Sequence, residues 1–326
     1  MLRVDRRQFA QALATASLGA FVPTVLGQAW PARPMRLVVP FATGGGSDFI
    51  GRFMAQRLGQ ALGQPMVVEN RPGAGSTLGI EMVVKAPADG HTFGLIASSY
   101  TVTPSLYKLK FDPVADITPI IQFSQGPMLV LVPRALPAAS FSELVSLIRS
   151  RPGALNYASA GQGSITHLAC AYFADMAGLQ MTHVPYKGTG PALTDTIAGQ
   201  TQVFFSSTAT ALPHVQSGAL RALAVTTAER LPALPAVPTI AESGLPAYDV
   251  PLWHGMIGPR GLADAIVSRL VGESERTLTL RETAEQLAQD GVAPAPKASP
   301  EAFRRRIESE IAQWRGVIAK AGIRLE

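Results

Sequence analysis

Hydrophobic positions along the chain change repeatedly between a strand-like and a helix-like spacing. Residues 37–41 form a short apolar run, and residues 49–62 carry their apolar side chains on one helical stripe that ends at Gly63. The alternation continues with a strand at 66–69, a helix at 77–85 and a strand at 92–97. Because alternating strands and helices form sheets covered by helices, this pattern predicts an α/β unit with a parallel sheet.

A second unit of the same kind follows. Two strands lie close together at 117–123 and 128–133, and Ser140 with Glu143 forms a capping box that opens a helix. The later strands and helices predicted in this unit are, in order, 155–158, 164–177, 183–186, 192–198, 202–205, 209–217 and 220–226. A proline-rich run to residue 251 predicts an irregular connection. The chain ends with predicted helices at 262–275, 282–289 and 300–320. Two α/β units imply two lobes that face a cleft.

The first 29 residues have the pattern of an export signal. A basic front is followed by an apolar stretch and by small residues before Ala29, where we expect cleavage. Arg6 and Arg7 with Phe9 resemble a twin-arginine signal, but Ala10 stands where that motif more often has leucine. The ordinary secretory route therefore stays open. We expect a periplasmic protein that begins near Trp30.

Composition narrows the functional classes. The 326 residues are 47% hydrophobic and 16% charged, which is typical of a globular protein with a sizeable core. The only Lys/Arg cluster after the leader is the run at 304–306, within a predicted helix, so nucleic-acid binding is not expected. The single cysteine, Cys170, is expected in the core and cannot form an internal disulfide. The five histidines have no metal-binding spacing, and no metal or other cofactor is expected.

Two glycine-rich loops share one design. The first glycine loop, "TGGGSD" at 43–48, and the second, "SAGQGS" at 159–164, each follow a predicted strand and open a predicted helix. Glycines let a ligand approach the unpaired N–H groups of the helix start, where the helix dipole favours an anion. Ser47, Asp48 and Ser164 are the expected helix caps, and His167 is expected to hydrogen-bond within the second loop. Two such loops in two lobes predict a binding cleft for a carboxylate.

An enzyme is the competing interpretation. The segment "GAGSTLG" at 73–79 lies between a predicted strand and a helix and approaches a dinucleotide fingerprint, which would suit a Tat-exported oxidoreductase. However, Arg71 and Pro72 lengthen the turn, and no acidic residue ends the next strand. The sequence has no P-loop and no G-x-S-x-G nucleophile motif, and no catalytic residue is predicted.

Several long phrases resemble one family, the extracytoplasmic substrate-binding receptors of tripartite tricarboxylate transporters, or Bug-type solute-binding proteins. The resemblance spans almost the whole chain after residue 30. The phrases that carry it include "PFATGGGSDFIGR" at 40–52, "GQPMVVENRPGAGSTLG" at 63–79, "LNYASAGQGSITHLA" at 155–169, "HVPYKGTGPALTD" at 183–195 and "LPAVPTIAESGLP" at 234–246.

The resemblance implies a type II periplasmic-binding-protein-like α/β fold with two lobes around a central cleft. It implies a first lobe formed by 30–126 plus 251–326, and a second lobe formed by 127–250. It further implies an exported monomeric receptor that is not an enzyme, that captures a small carboxylate and that delivers it to membrane permease subunits. A receptor that reports ligand to a signalling partner stays open as an alternative.

The resemblance also places the ligand-binding residues. From the two glycine loops and their surroundings it implies Phe41, Thr43, Gly45, Ser47, Asp48, Ala160, Gly161, Gly163 and Ser164. Lys187 follows a predicted strand end, where it either faces the cleft or is solvated. The chain departs from the family at "ASSYTVTPSLY", where Ser98 and Ser99 are expected contacts, and at "FFSSTAT", where Ser206 and Ser207 replace a frequent aspartate. Ser207 is expected to contact the ligand, and a ligand amine is not expected there.

Overall fold

The structure is a computed structural model that describes residues 30–44, 46–289 and 291–324. The predicted export signal at 1–29 and the predicted contact Gly45 lie outside the described residues. The strands are β1 Met35–Val39, β2 Met66–Asn70, β3 Thr92–Ala97, β4 Ile117–Gly126, β5 Met128–Pro133, β6 Asn156–Ser159, β7 Thr182–Pro185, β8 Val203–Ser207, β9 Leu220–Val225, β10 Leu252–Pro259 and β11 Ala293–Pro294. The α-helices are α1 Gly46–Leu62, α2 Thr77–Val84, α3 Thr103–Leu106, α4 Phe141–Ser150, α5 Ile165–Ala177, α6 Thr189–Ile197, α7 Thr208–Gln216, α8 Asp264–Leu278, α9 Arg281–Gln289 and α10 Pro300–Ala321. Short 3-10 turns occupy Ala74–Ser76 and Ser98–Thr101.

The strands form two mixed sheets, one in each lobe. The first has the order β11-β4-β10-β3-β1-β2, and the second has the order β7-β6-β8-β5-β9. β1 pairs in parallel with β2 and β3, while β10 pairs antiparallel with β3 and β4. In the second sheet β6 pairs in parallel with β7 and β8, while β5 pairs antiparallel with β8 and β9. The expectation of parallel sheets is therefore wrong for the strands beside the lobe crossings.

The pairing brings the functional edges of the two sheets together. β1, β3 and β4 run in one direction and end at the same edge, where Gly126 pairs with Leu252. β6, β7 and β8 end at one edge of the second sheet, where Ser207 pairs with Met128 at the start of β5. Only Pro127 separates Gly126 from Met128. The carboxyl edges of the two parallel sets therefore meet at one crossing, and the loops that follow these strands gather around it.

The chain crosses back beside the first crossing. The Val250 amide donates to the carbonyl oxygen of Thr226 at 2.8 Å, and the hydroxyl of Thr226 donates to the Val250 carbonyl at 2.8 Å. The Met128 amide donates to the same hydroxyl at 2.9 Å, so Thr226 joins the outgoing and returning segments. Gly291, at φ +69°, lies so close to the start of α7 that an added Cβ would come within 2.6 Å of the Ala209 nitrogen.

The last helix belongs to both lobes. Near its start, Phe303 and Ile307 pack in a core with β10 of the first sheet. Near its end, Trp314 and Val317 pack in the core of the second lobe. α10 therefore contributes side chains to both cores. None of the helices within 30–324 that the structure describes is long and apolar enough to cross a membrane.

Most predicted elements are confirmed within a few residues of their ends. The helix at 46–62 begins three residues before its predicted start, and the proline-rich run before 251 is irregular as predicted. The strand at 252–259 was not predicted, because the proline-rich run that precedes it and its own two glycines and final proline favour a loop. That strand lies between β3 and β4 and is almost wholly buried. Cys170 is buried in the second-lobe core as expected.

Candidate functional site

The first glycine loop is organised around the carboxylate of Asp48. Its Oδ2 accepts from the Gly44 amide at 2.9 Å and from Arg52 Nε at 3.1 Å, and its Oδ1 accepts from Asn70 Nδ2 at 2.8 Å. Asn70 also donates to the carbonyl oxygen of Phe41 at 3.1 Å. Asp48 is buried, and burial alone would raise its pKa, but these hydrogen bonds outweigh that effect and lower it. Asp48 therefore fixes the loop, and its charge is already matched by protein donors.

Ser47 is joined to the strand that the sequence did not predict. Its hydroxyl lies 3.0 Å from Nε2 of His254 on β10, and Nδ1 of His254 lies 3.2 Å from the hydroxyl of Ser124 on β4. Burial lowers the pKa of His254 to about 4, so the ring is neutral at pH 7. A neutral imidazole donates from one nitrogen and accepts at the other. His254 therefore links the loop to both strands that lead to the crossings.

Ser47 and Asp48 were expected to be N-caps. Helix α1 begins at Gly46, so both residues lie in its first turn and neither is an N-cap. Phe41 is half-buried, and Thr43 and Gly44 are exposed at the carboxyl end of β1. Ser98 and Ser99 begin the 3-10 turn after β3, whose last residue, Ala97, pairs with His254. Ser98 is buried, whereas Ser99 is half-buried. The structure therefore brings these first-lobe residues to one edge.

The second glycine loop uses most of its predicted amides internally. The Ala160 amide donates to Thr166 Oγ1 at 2.9 Å, and the Gly161 amide donates to Ser159 Oγ at 3.1 Å. The Gly163 amide donates to Nδ1 of His167 at 3.1 Å, which confirms the expected role of that histidine. Ser164 is the N-cap of α5, as expected: its hydroxyl accepts from the His167 amide at 3.3 Å.

The amides of this loop that have no described partner belong to the helix start. The Ser164 amide donates to the carbonyl of Gly161 at 3.1 Å. The first residues of α5, Ile165 and Thr166, donate no amide hydrogen bond to the part of the chain that the structure describes. They belong to the first turn, where helix amides have no intrahelical partner. The positive end of α5 thus has two amides without a described partner, and hydrogen bonds hold its preceding loop.

Lys187 and Ser207 lie at the same edge of the second lobe. Lys187 is exposed between β7 and α6 and makes no ion pair with any residue in the described ranges. The following Gly188 donates its amide to the Ala160 carbonyl at 3.1 Å, which ties the lysine's segment to the second glycine loop. Ser207 is half-buried at the end of β8, with its hydroxyl 2.9 Å from that of Thr210.

The dinucleotide-like segment has a packing explanation. An added Cβ at Gly75 would collide with the ring of Tyr107, and one at Gly79 would lie 2.8 Å from Pro40 Cβ and 2.9 Å from the Arg71 carbonyl oxygen. These glycines are required where the turn packs against its neighbours. The described residues contain no group of three or more His, Cys, Asp or Glu side chains that could hold a metal ion.

The sequence did not reveal His254, Ser124 or Asn70. Each acts on a glycine loop from a distant part of the chain, and His254 is 207 residues from Ser47. The pattern "NRPGAG" after β2 was a signal for a loop, but nothing in it indicated that Asn70 bonds to Asp48. The assembled edge carries hydroxyls, amides, a neutral imidazole and one exposed lysine, which suits recognition of an anion by hydrogen bonds.

A family model, described as the tripartite tricarboxylate transporter family receptor, matches residues 50–323. The chain is 33% identical to BugT of Bordetella pertussis over 320 residues, which is 95% of this chain and 98% of BugT. It is also 33% identical over 322 residues to a protein of the tcbD-tcbE intergenic region of Pseudomonas sp. strain P51, covering 98% of this chain and 96% of that protein.

Solved structures resemble this chain over most of its length. An R. palustris protein solved with adipate is 37% identical with a TM-score of 0.77, covering 91% of this chain and 100% of its own. MatC from Rhodopseudomonas palustris, solved with bound malate, is 33% identical with a TM-score of 0.73, covering 89% of this chain and 100% of its own. The periplasmic binding protein BugD is 32% identical with a TM-score of 0.74, covering 91% of this chain and 100% of its own.

Proposed function

The chain belongs to the tripartite tricarboxylate transporter receptor family, and from this premise we propose that it captures a small dicarboxylate between its lobes and delivers it to membrane permease subunits. The observation that carries the proposal is the meeting of the two carboxyl edges at the crossing of Gly126 and Met128. Loops from both lobes border that crossing, so one ligand can contact both of them. Malate and adipate in two relatives favour a dicarboxylate.

Neutral donors hold the first carboxylate in this proposal. Asp48 and Asn70 fix the first glycine loop, while the open first turn of α5 offers the amides of Ile165 and Thr166 from the other lobe. Hydrogen bonds from such donors to a carboxylate contribute roughly 1.5–3 kcal/mol each. The residues predicted from the family resemblance stay candidates, with Ala160, Gly161 and Gly163 shaping the loop and the α5 start donating.

Lys187 binds the second carboxylate in this proposal. It is the cation that follows β7 at this edge, and no described acidic residue pairs with it. Binding shifts an equilibrium between open and closed lobes, because only the closed form brings both loops onto one anion.

The remaining parts of the proposal follow from the family and from the pattern of the first 29 residues. The chain is an exported, periplasmic receptor whose leader is cleaved near Ala29, it acts as a monomer and it carries out no reaction. Its lobes are 30–126 plus 251–326 and 127–250, with α10 packing in both. Closure then occurs at the two crossings.

Calorimetry and thermal shift on the purified mature protein test the proposal. Malate, adipate, citrate, acetate and NAD are compared, and a ligand at 100-fold its Kd should stabilise the protein by about 2.7 kcal/mol. We expect malate or adipate to bind and NAD to have no effect. Binding of NAD with no response to any carboxylate would contradict the receptor function.

A lysine variant tests the second carboxylate. Lys187→Ala should weaken the dicarboxylate that binds by about tenfold and leave acetate unchanged. The control, Lys297→Ala, removes a lysine that pairs with Glu275 at 3.0 Å in the first lobe, and it should bind like the wild type. Equal dicarboxylate affinity for both variants would remove Lys187 from the site.

A further inference from the structure

Two histidines form a stacked pair behind the second glycine loop. The rings of His167 on α5 and His183 on β7 have centroids 3.7 Å apart and planes within 7° of parallel. The ring of Tyr157 on β6 lies beside this pair, with its centroid 4.9 Å from that of His183 and 6.0 Å from that of His167. Three elements of the second lobe therefore contribute an aromatic cluster behind the loop.

Each ring of the pair holds a different part of the loop. Nδ1 of His167 accepts from the Gly163 amide at 3.1 Å. Nε2 of His183 lies 2.7 Å from the hydroxyl of Ser159, and that hydroxyl accepts from the Gly161 amide at 3.1 Å. Because Nδ1 of His167 must have a lone pair to accept, the proton of the neutral ring is on Nε2.

The surroundings keep both rings uncharged. Burial, with a smaller contribution from His183, lowers the pKa of His167 to about 3, and burial lowers the pKa of His183 to about 4. The facing groups on β6 and α5, Tyr157 and Cys170, have pKa values raised by burial and are neutral as well. No described carboxylate contacts either ring.

A cavity of about 440 Å³ adjoins the pair and has two charged side chains in its lining. It is lined by His167 and His183 together with Asp175 and Lys320, and Lys320 Nζ lies 3.0 Å from Asp175 Oδ2. These two charges neutralise each other. Parallel rings 3.7 Å apart direct their lone pairs in parallel planes, so the pair cannot converge on one metal ion.

We propose that His167 and His183 are positioning residues of the ligand site: as a neutral stacked pair they fix the second glycine loop, and a proton on Nδ1 of His167 frees that loop. The inference rests on the proposed carboxylate function, because a fixed loop presents the open first turn of α5 to the ligand in one geometry. A proton on His167 removes the acceptor for the Gly163 amide, and a second proton would place two cations in contact.

The first arm of the test needs no ligand. Nitrogen-15 NMR of the histidine rings should show His167 neutral, with its proton on Nε2, from pH 7 down to pH 5. In His167→Leu the Gly163 amide should exchange with solvent about tenfold faster than in the wild type, because its acceptor is gone. In His167→Asn, whose amide oxygen can accept in the place of Nδ1, exchange should stay within about threefold of the wild type.

The second arm measures the affinity for malate and adipate at pH 7 and pH 4. The dicarboxylate that binds should bind about tenfold more weakly to His167→Leu at pH 7 and nearly normally to His167→Asn. Between pH 7 and pH 4, the affinities of the wild type and of His167→Asn should change by nearly the same factor, because a group with a pKa of about 3 is only about one-tenth protonated at pH 4. His214→Asn, which changes a histidine of α7 outside the pair, is the control and should match the wild type in both arms.

The two arms separate this inference from the proposed function. A charged His167 at pH 5, or wild-type amide exchange in His167→Leu, overturns the positioning role whatever the ligand. Normal binding by His167→Leu overturns it as well. If no carboxylate binds to the wild type, the receptor proposal fails, and the exchange arm still decides the role of the pair.

Discussion

Replacing Asp48 by alanine removes the acceptor around which the first glycine loop is built. The carboxylate accepts from the Gly44 amide, Arg52 and Asn70 at 2.8–3.1 Å. The side chain of Arg52 is 52% exposed and can turn to water, so the loss of its ion pair costs little. The other two hydrogen bonds are made to a buried charge, and bonds of this kind are worth roughly 1.5–3 kcal/mol each. At the exposed Gly44, water replaces part of the lost hydrogen bond, so we expect the free energy of unfolding to fall by about 2 kcal/mol.

Urea unfolding gives this loss as a lower midpoint with an unchanged slope. Calorimetry with malate or adipate should show at least about a tenfold weaker Kd, because the first loop is no longer held in its binding geometry. Asp48→Asn keeps one acceptor oxygen, so its urea midpoint and its Kd should lie between those of the wild type and of Asp48→Ala. The control is Glu285→Ala, which removes an exposed ion pair with Arg281 and should change stability by less than about 0.5 kcal/mol.

Two results would refute the reasoning about Asp48. If Asp48→Ala is as stable as the control variant, the buried hydrogen bonds do not hold the loop. If it is destabilised but binds the dicarboxylate normally, the loop geometry is not needed for the site. Acid titration provides a further test. Since the pKa of Asp48 is lowered in the folded protein, its contribution to stability is present above the unfolded value near 3.8 and is lost as the pH falls through the lower folded value.

Three further predictions concern the crossings and the last helix. His254 has a pKa of about 4 in the folded protein against 6.5 in the unfolded chain, so the folded state binds fewer protons. The free energy of unfolding should therefore fall by about 3 kcal/mol as the pH drops from 6.5 to 4. Urea titrations of His254→Gln should lack this pH dependence. Gly291→Ala should lower stability by about 2–3 kcal/mol in thermal unfolding, because its Cβ would meet the start of α7 at 2.6 Å. The control, Gly322→Ala, has a similar φ and no atom within 4 Å of the added Cβ, so it should lower stability by about 1 kcal/mol. Equal losses for the two variants would exclude the clash. Trp253→Phe should lower stability in urea unfolding by about 2 kcal/mol more than Trp314→Phe does. The indole N–H of Trp253 donates to a buried glutamate of α10 at 2.9 Å, whereas that of Trp314 has no partner among the described residues. Similar losses for the two variants would show that this hydrogen bond adds nothing to stability.

The local parts of the site were predictable from the sequence. Ser164 as a cap and His167 as a hydrogen-bonding partner within the second glycine loop are both confirmed, because each pairs with a backbone group a few residues away. The glycines at 161 and 163 were also assigned correctly to a loop, and both have positive φ. Contacts over such short separations are limited by helix and turn geometry, which the order of residues specifies.

The hydrogen-bond partners of the loop amides were not predictable from the sequence of the same loop. The sequence predicted unpaired amides at the helix start, but it did not indicate that Ser159, Thr166 and His167 accept from the amides of the preceding loop. The stack of His167 on His183 was likewise invisible, because β7 lies beside β6 only after the sheet has formed.

By itself the sequence determined the succession of strands and helices, the two α/β units and the two glycine loops. Only the tertiary structure decided that the strand 252–259 lies between β3 and β4, that His254 reaches Ser47, and that α10 packs in both lobes. The physical reason is that hydrophobic periodicity reports which face of a segment is buried but not which segment buries it. Pairings over 130 or 207 residues depend on the summed packing of both sheets, and no short stretch of the chain contains that information.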